Sequence, residues 1–411
     1  MTEIPISVVI VSRDRPASLQ RCLEGIEQLF YGQFEVVIVA DRAGCDAVRD
    51  MGLGEAVSLI EFNEANISAA RNLGIAQAAG EVVAFIDDDS VPEPTWLNHL
   101  SAPFANHEVV AAGGYVRGRN GISFQSRANW VDTTGRETAI AAEGAHVVLT
   151  GAPGKAVKTE GTNCAFRRGV LAKIGGFDPN FRFFLDETDV NMRLAKDHHK
   201  TAVVPLAQVH HGFHASRYRA ADRTPRSLTE IGASQAVFLR KHALPDMRDG
   251  AMDAFRQEQR ARLVRNMVAG ACEPRDVSGL MAGLESGIQD GLARSLEPPT
   301  AIPERTRPFK VFQSRVPYGD PLIMTGHRLA AGRLRAEARA AAAQGRRVTL
   351  FLFGSTALYH RASFQHGFWE QIGGLFGKSD RNDKIFKPWR RKSRVAREKK
   401  LLADIRITCS S

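Results

Sequence analysis

The sequence predicts an α/β protein whose main body is an open, largely parallel sheet with helices on both faces. Three observations carry that expectation. Short β-branched runs alternate with helical apolar stripes through the N-terminal segment. The runs Ser7 to Val11 (SVVIV), Phe34 to Ala40 (FEVVIVA) and Val82 to Ile86 (VVAFI) are continuously apolar, as a strand covered on both faces requires. Charged residues gather directly after these runs, where open α/β sheets bind their ligands.

Each element follows in order. After the first strand, Pro16 opens a helix whose apolar residues fall at Leu19, Cys22, Leu23, Ile26, Leu29 and Phe30. Asp41 stands at the end of the second strand, Ser58 to Phe62 reads as a shorter strand, and Ile67 to Ala79 as a helix closed by Gly80. The fourth strand, VVAFI, completes a β-α-β-α-β-α-β series. From Val109 to about Pro205 the pattern loosens, with polar loop material over 120–158, a strand-like GTNCAF, a short helix ending at Gly175 and Gly176, and an acidic helix start at Asp186. We therefore expect a first domain over 4–242, a helical segment and proline-rich linker over 243–308, a small α/β module over 309–380 and a basic tail over 381–411. The linker is placed at EPPTAIPERTRP, rich in residues that end regular structure.

Composition bounds the function. A chain of 411 residues exceeds what one core usually organises, and 44% hydrophobic with 24% charged residues excludes disorder as the main state. Five widely spaced cysteines (Cys22, Cys45, Cys164, Cys272 and Cys409), without a C-x-x-C pair, predict reduced thiols and a cytoplasmic protein. Neither a signal peptide nor a membrane span is expected.

The strongest chemical signal is Asp87, Asp88 and Asp89 directly after VVAFI. Three consecutive carboxylates at a strand tip repel one another, and a divalent cation with oxygen ligands relieves that; an acidic turn neutralised by solvent is the plain alternative. Asp41 ends the second strand on the same edge, where a carboxylate accepts from a ribose hydroxyl or a base N–H. Ser12 and Arg13 end the first strand there too, placing backbone and guanidinium near a base or phosphate. Asn66 opens NISAARNLG, a small-residue helix start from which Arg71 reaches a diphosphate. A second acidic group, Asp186, Glu187 and Asp189, begins a helix; it serves equally as a helix cap or as a general base. Of the cluster His210, His211 and His214, one histidine, His211, is assigned near the same metal or a phosphate. Zinc is not favoured, for want of H-E-x-x-H or a partnering cysteine, and GAPGK lacks the spacing of a phosphate loop.

In this order these segments resemble the family 2 glycosyltransferases with the GT-A fold, over about Ile4 to His214. The matching stretches are SVVIVSRDRPASLQRCLEGI, VVIVADRA, NISAARNLGIAQAAGEVVAFIDDDSVPEPTWL, GTNCAFRR, GGFDPNF, the acidic helix start and the late histidines. The resemblance implies inverting transfer from a nucleotide sugar, commonly a UDP-sugar, to a saccharide or lipid-linked acceptor. Asp41 would take the uracil or its ribose; the run Asp87 to Asp89 would hold Mg²⁺ or Mn²⁺ on the diphosphate, with Asp89 the direct ligand; Thr162, Asn163 and Asp189 would line the sugar or acceptor pocket. The family's usual Glu-Asp order is reversed here to Asp186-Glu187, so position assigns the base to Glu187 and leaves Asp186 as the alternative. Two other readings stand beside it: a catalytically inert relative that binds nucleotide sugar or glycan, and a nucleotidyltransferase, against which this sequence shows no glycine-rich, lysine-bearing loop after the first strand to hold a triphosphate.

The net charge of +10 is local. Residues 381–400 hold 10 basic and 2 acidic residues, and the remainder of the chain carries only +2. That argues against specific nucleic-acid binding by the main domain. With Phe386 and Trp389 among the charges, it marks 381–400 for peripheral contact with an anionic membrane, on the inner face of the cell membrane.

Overall fold

The computed structural model describes residues 3–212, 214–304, 307–317 and 319–407. Cys409, and with it the end of the basic tail, lies outside the described residues.

The N-terminal half opens β1 (Ile6–Ser12), α1 (Pro16–Ile26), β2 (Phe34–Ala40), α2 (Arg42–Asp50), β3 (Ser58–Glu61), α3 (Ile67–Gln77), β4 (Val82–Asp87) and β5 (Ser90–Pro92). Side chains alternate across a strand, so Val8 and Ile10 of β1 pack with Leu19, Leu23, Trp96 and Leu97 on one face. Val9, between them, packs with Ile75, Leu171 and Val190 on the other. Two capping side chains start helices next to strand ends. Asp41 accepts from Gly44 N at 2.9 Å to begin α2, and Asn66 accepts from Ala69 N at 3.1 Å to begin α3.

The chain continues through α4 (Trp96–Ser101), β6 (Val109–Arg117), β7 (Phe124–Ser126), β8 (Asn129–Asp132), β9 (Glu137–Ala139), β10 (Val147–Thr150), β11 (Lys155–Lys158), β12 (Cys164–Arg167), α5 (Arg168–Lys173), α6 (Asp186–Lys196) and β13 (Lys200–His211). The main sheet runs β10-β13-β6-β12-β4-β1-β2-β3, with β5 paired to β13 and β7 to β6. Pairs β4-β1-β2-β3 and β13-β6 are parallel, while β12 enters antiparallel between β4 and β6. The stretch expected as polar loop over 120–158 instead holds β7 to β11, several of which form a separate sheet in the order β11-β8-β9. Their residues are largely half-exposed, and apart from the short VVL of β10 these strands lack the apolar runs that announce buried ones.

Next come α7 (Thr229–His242), α8 (Pro245–Val268) and α9 (Pro274–Ala293), the last two within the stretch expected to be helical. Helix α9 crosses α7 so closely that a Cβ on Gly287 would sit 1.9 Å from Thr229 O. Glycine is required at that crossing.

The C-terminal part contains β14 (Leu322–His327), α10 (Ala331–Ala343), β15 (Val348–Gly354), β16 (Arg361–Gln365), β17 (Phe368–Gly374) and α11 (Arg391–Leu402), ordered β14-β15-β17-β16 in a four-stranded sheet. It is joined to the N-terminal sheet by packing as well as by sequence. Phe312 lies 5.4 Å from Phe34, ring to ring, and Arg315 pairs with Glu27 at 2.5 Å. The basic tail is partly internal: Arg394 and Glu398 are buried, Glu398 accepts from Ser379 at 2.7 Å and Gln371 at 2.8 Å, and Leu402 and Ile405 pack with Phe351 and Phe353. Among the described residues, no helix is long and apolar enough to cross a membrane.

Candidate active site

Strand ends build the floor of the site. Strand β4 delivers Asp87, and the chain turns over Asp88 and Asp89 into β5, which pairs with β13 so that Ser90 lies opposite His211. This turn gives the three carboxylates different surroundings. Asp87, Asp89 and His211 each offer a ligand atom within 4.8 Å of the others. Asp89 Oδ1 lies 3.1 Å from His211 Nε2. Its Oδ2 accepts from the backbone N–H of His214 at 3.1 Å and from Arg15 at 3.2 Å. Burial pushes the Asp89 carboxyl up, but the bond and charge of His211, with Arg15 behind them, hold it well below the usual range. Burial pulls His211 down and its contact with Asp89 more than reverses that, leaving the imidazole raised. Two carboxylates with one imidazole are a fitting donor set for Mg²⁺ or, with its greater tolerance of nitrogen, Mn²⁺.

Beside this trio opens a cavity of about 390 Å³, lined among others by Ser12, Arg13, Asn66, Asp87, Asp89 and His211. Asp41 borders it indirectly: its Oδ2 accepts from Asp14 N at 2.8 Å, and Asp14 lines the cavity. Arg13 also bonds Asn63 O at 2.7 Å.

Sequence reasoning missed the opposite wall. Residues Ser216 to Arg226 fold into a small hairpin closed by an Arg219–Pro225 bridge, and Arg217, Arg219, Arg223 and Arg226 all line the cavity with Arg15 and Arg182. Tyr218 stacks on Phe183 at 4.2 Å, and the Arg219 guanidinium lies over Phe183 at 5.4 Å. Burial and the neighbouring Arg262 and Arg223 push Arg219 down to about 10. Cations crowded in this way attract an anion. The signal was available in the four arginines of SRYRAADRTPR.

Several expected site residues are placed otherwise. Asp88, expected at the nucleotide sugar, is fully buried; it accepts from Ser12 Oγ at 2.7 Å and pairs with Arg15 at 2.6 Å. Burial, partly offset by Arg15, raises it to about 7. Arg71, expected on a diphosphate, is buried as a crosslink: it pairs with Asp186, with Asp87 at 3.2 Å, and with Gly161 O at 3.0 Å. A Cβ on Gly161 would come within 2.8 Å of that guanidinium, so the glycine makes room for it. Asp186 is consequently engaged with Arg71 and buried, rather than open to substrate. Asn163 is fully buried, accepting from Trp96 Nε1 at 2.8 Å and donating to Ala207 O at 2.8 Å and Tyr115 O at 3.0 Å. Thr162 is buried against Ser90 Oγ at 2.7 Å. Asp189 is buried in a structural cluster with Lys241 at 2.6 Å, Arg193 at 2.8 Å and His242 at 2.9 Å. These three do not line the cavity; their polar groups are satisfied inside the fold.

Glu187 differs from its neighbours. It is half-buried one residue beyond Asp186, and burial, then repulsion by Asp186, pushes its carboxyl up to about 8, against the opposing pull of Lys158. Arg71 bridges Asp186 to Asp87, so the start of α6 and the carboxyl end of β4 are held as one unit.

The profile of a family described as Glycosyltransferase like family 2 matches residues 4–228. The chain is 29% identical over 191 residues to a glucosyl-dolichyl phosphate glucuronosyltransferase of Haloferax volcanii, covering 43% of this chain and 56% of that one. It is 24% identical over 214 residues to a pre-mycofactocin glycosyltransferase of Mycobacterium tuberculosis, covering 50% and 42%. With YwdF of Bacillus subtilis, an uncharacterized glycosyltransferase, it shares 26% identity over 253 residues, 59% of this chain and 85% of that one. The chain thus spans about half the length of the first two of these relatives. A mannosyltransferase from Pyrobaculum calidifontis, solved with GDP-Man and Mn2+, aligns over 71% of this chain and 88% of its own, with 17% identity and a TM-score of 0.42.

Proposed function

The chain belongs to the glycosyltransferase-like family 2, and from that premise we propose that it is a metal-dependent, inverting glycosyltransferase. It moves a sugar from a nucleotide sugar, a UDP-sugar by preference, to a hydroxyl of a saccharide or lipid-linked acceptor in a single displacement. The observation that carries the reading is the trio Asp87, Asp89 and His211 opening on a cavity at the carboxyl ends of β1 and β4. A divalent ion there supplies charge stabilisation to the departing diphosphate. The arginines of the hairpin face the same charge from the opposite wall, and Arg13 lines the cavity just after β1. Asp41 and Asp14 shape the end of the cavity assigned to base and ribose. Glu187, whose raised pKa makes it a competent proton acceptor near neutral pH, takes the proton of the attacking hydroxyl. We read residues 4–242 as the catalytic domain, 243–308 as a helical segment and linker, 309–380 as a small α/β module, and 381–411 as the basic tail.

A nucleotide-release assay across UDP-, GDP- and dTDP-sugars tests this. Slow Mn²⁺-dependent release from a UDP-sugar, lost on chelation, is expected; no release from any donor with either metal overturns the reading.

The tail adds a location. Although Arg394 and Glu398 are internal, Lys384, Lys387, Arg390, Arg391, Lys392, Lys399 and Lys400 are exposed, as are Ile385 and Phe386. Each such cation contributes about 1 kcal/mol near an anionic bilayer, which supports peripheral membrane contact beside a lipid-linked acceptor. The full chain should float with anionic liposomes at low salt, and Lys384→Glu/Lys387→Glu/Lys392→Glu should not. Equal flotation of the two proteins removes the assignment.

A further inference from the structure

We propose that Arg406, at the far C-terminal end of the described chain, is a positioning residue for the metal-binding pair Asp89 and His211; this rests on the metal reading above. Strand β5, which connects Asp89 to the rest of the fold, is only Ser90–Pro92. Its pairing with β13 sets Ser90 opposite His211, Val91 opposite His210 and Pro92 opposite Val209. A ladder this short, with a proline that has no N–H to donate, is weakly held by backbone bonds alone.

Side chains clamp its far end. Glu93, directly after β5, is fully buried and accepts from His210 Nε2 at 2.7 Å. It also takes a two-pronged contact from Arg406, with Nε at 2.7 Å and a terminal nitrogen at 2.5 Å. The guanidinium lies over the Trp369 ring at 4.0 Å, and His210 packs on the same ring at 4.5 Å. Backbone contacts seat the segment as well: Thr95 Oγ1 donates to Ile405 O at 2.9 Å. The clamp therefore grips both strands of the pair, through Glu93 on one and His210 on the other. His211 follows His210 directly, Asp89 precedes the strand at its other end, four residues before Glu93, and Gly212 N closes the turn onto Asp89 O at 2.8 Å.

Without Arg406, Glu93 would be a buried carboxylate lacking its cationic partner, a costly state in a dry interior. The strand pair must shift to solvate it, and the shift passes to Asp89 and His211. All three metal-binding residues lie within the family match at 4–228, yet the clamp comes from beyond it. Residues that orient metal ligands typically alter metal affinity about 10- to 100-fold when lost.

The test compares full-length wild type, Asp89→Ala, Arg406→Ala and Arg406→Lys by calorimetry of Mn²⁺ binding, which Arg406→Ala should weaken about tenfold or more, and by Mn²⁺-dependent donor hydrolysis. Arg406→Ala should raise the Mn²⁺ KM about tenfold or more, with kcat at saturating Mn²⁺ within about twofold of wild type. Added guanidinium should lower that KM again. A purely structural role would lower kcat with the folded fraction and leave the Mn²⁺ KM unchanged; that result, or an unchanged enzyme, overturns the positioning role. If Arg406→Ala fails to fold, Arg406→Lys carries the same KM test, because it keeps the charge and loses the planar fork. Metal-independent wild type, or Asp89→Ala with an unaltered Mn²⁺ KM, overturns the metal reading and this inference with it, and is distinguishable from failure of the clamp alone.

Discussion

Asp89→Ala should eliminate Mn²⁺-dependent binding of the donor and lower transfer by about 10³-fold or more, since a metal at a departing diphosphate supplies several kcal/mol of charge stabilisation. The expectation is specific to this carboxylate. Asp89 is held well below the usual range by His211 and Arg15, and it lies 3.1 Å from the histidine that would share the ion. Asp88, one residue earlier, makes the control. It is spent on Ser12 and Arg15, so Asp88→Asn should leave the Mn²⁺ affinity within a few-fold of wild type. Calorimetry of Mn²⁺ and UDP binding to the three proteins checks both. Equal loss in the two variants would mean that the acidic run acts as a whole; unchanged Mn²⁺ binding by Asp89→Ala would remove the metal assignment.

Much of the fold was legible because its central strands announce themselves. A strand covered on both faces must be apolar throughout, and SVVIV, FEVVIVA and VVAFI are. What escaped was the insertion of β12 antiparallel between β4 and β6, and the small strands β7 to β11. Pairing direction leaves no mark on the period of a strand, and half-exposed strands read as loop. The strand VTLFLF and the alanine-rich helix were visible, but the packing of the tail against that strand was not. A stretch of 10 basic residues reads as solvated, and nothing local tells that Arg394 and Glu398 are buried against His360 and Gln371, or Arg406 against Glu93.

The site divides in the same way. Asp87, Asp89 and His211 were nameable because a strand tip and a histidine cluster point to one edge. That Asp88 turns inward onto Ser12 and Arg15 was not, since that depends on the turn into β5. Asn163, Asp189 and Arg71 carry side chains that suit a ligand and a buried network equally well. Burial decides between these roles, and it is set by packing partners such as Trp96, Lys241 and Asp186 that lie far away in sequence.

Glu187→Gln should lower transfer by about 10² or more while leaving Mn²⁺-dependent donor binding intact, because Glu187 stands outside the cavity lining that is assigned to the donor. The pH profile separates a base from a structural acid. With its carboxyl pushed up to about 8, the ionised fraction, and with it the wild-type rate, should climb with pH and level off only above that value; the glutamine variant should show no such rise. Stability runs the other way. A carboxyl whose folded pKa is raised binds more protons folded than unfolded between its ordinary value of 4.5 and about 8, so its contribution to stability falls as pH rises across that window. Glutamine removes this effect, and the variant at pH 8 should melt no earlier than wild type, so lost activity cannot be lost fold. Asp186→Asn should behave in contrast: it strips the buried Arg71 of one of its two carboxylates and should cost about 3–5 kcal/mol of stability. If Asp186→Asn instead abolished transfer in a protein of wild-type stability, and Glu187→Gln remained active, the two carboxylates would exchange roles.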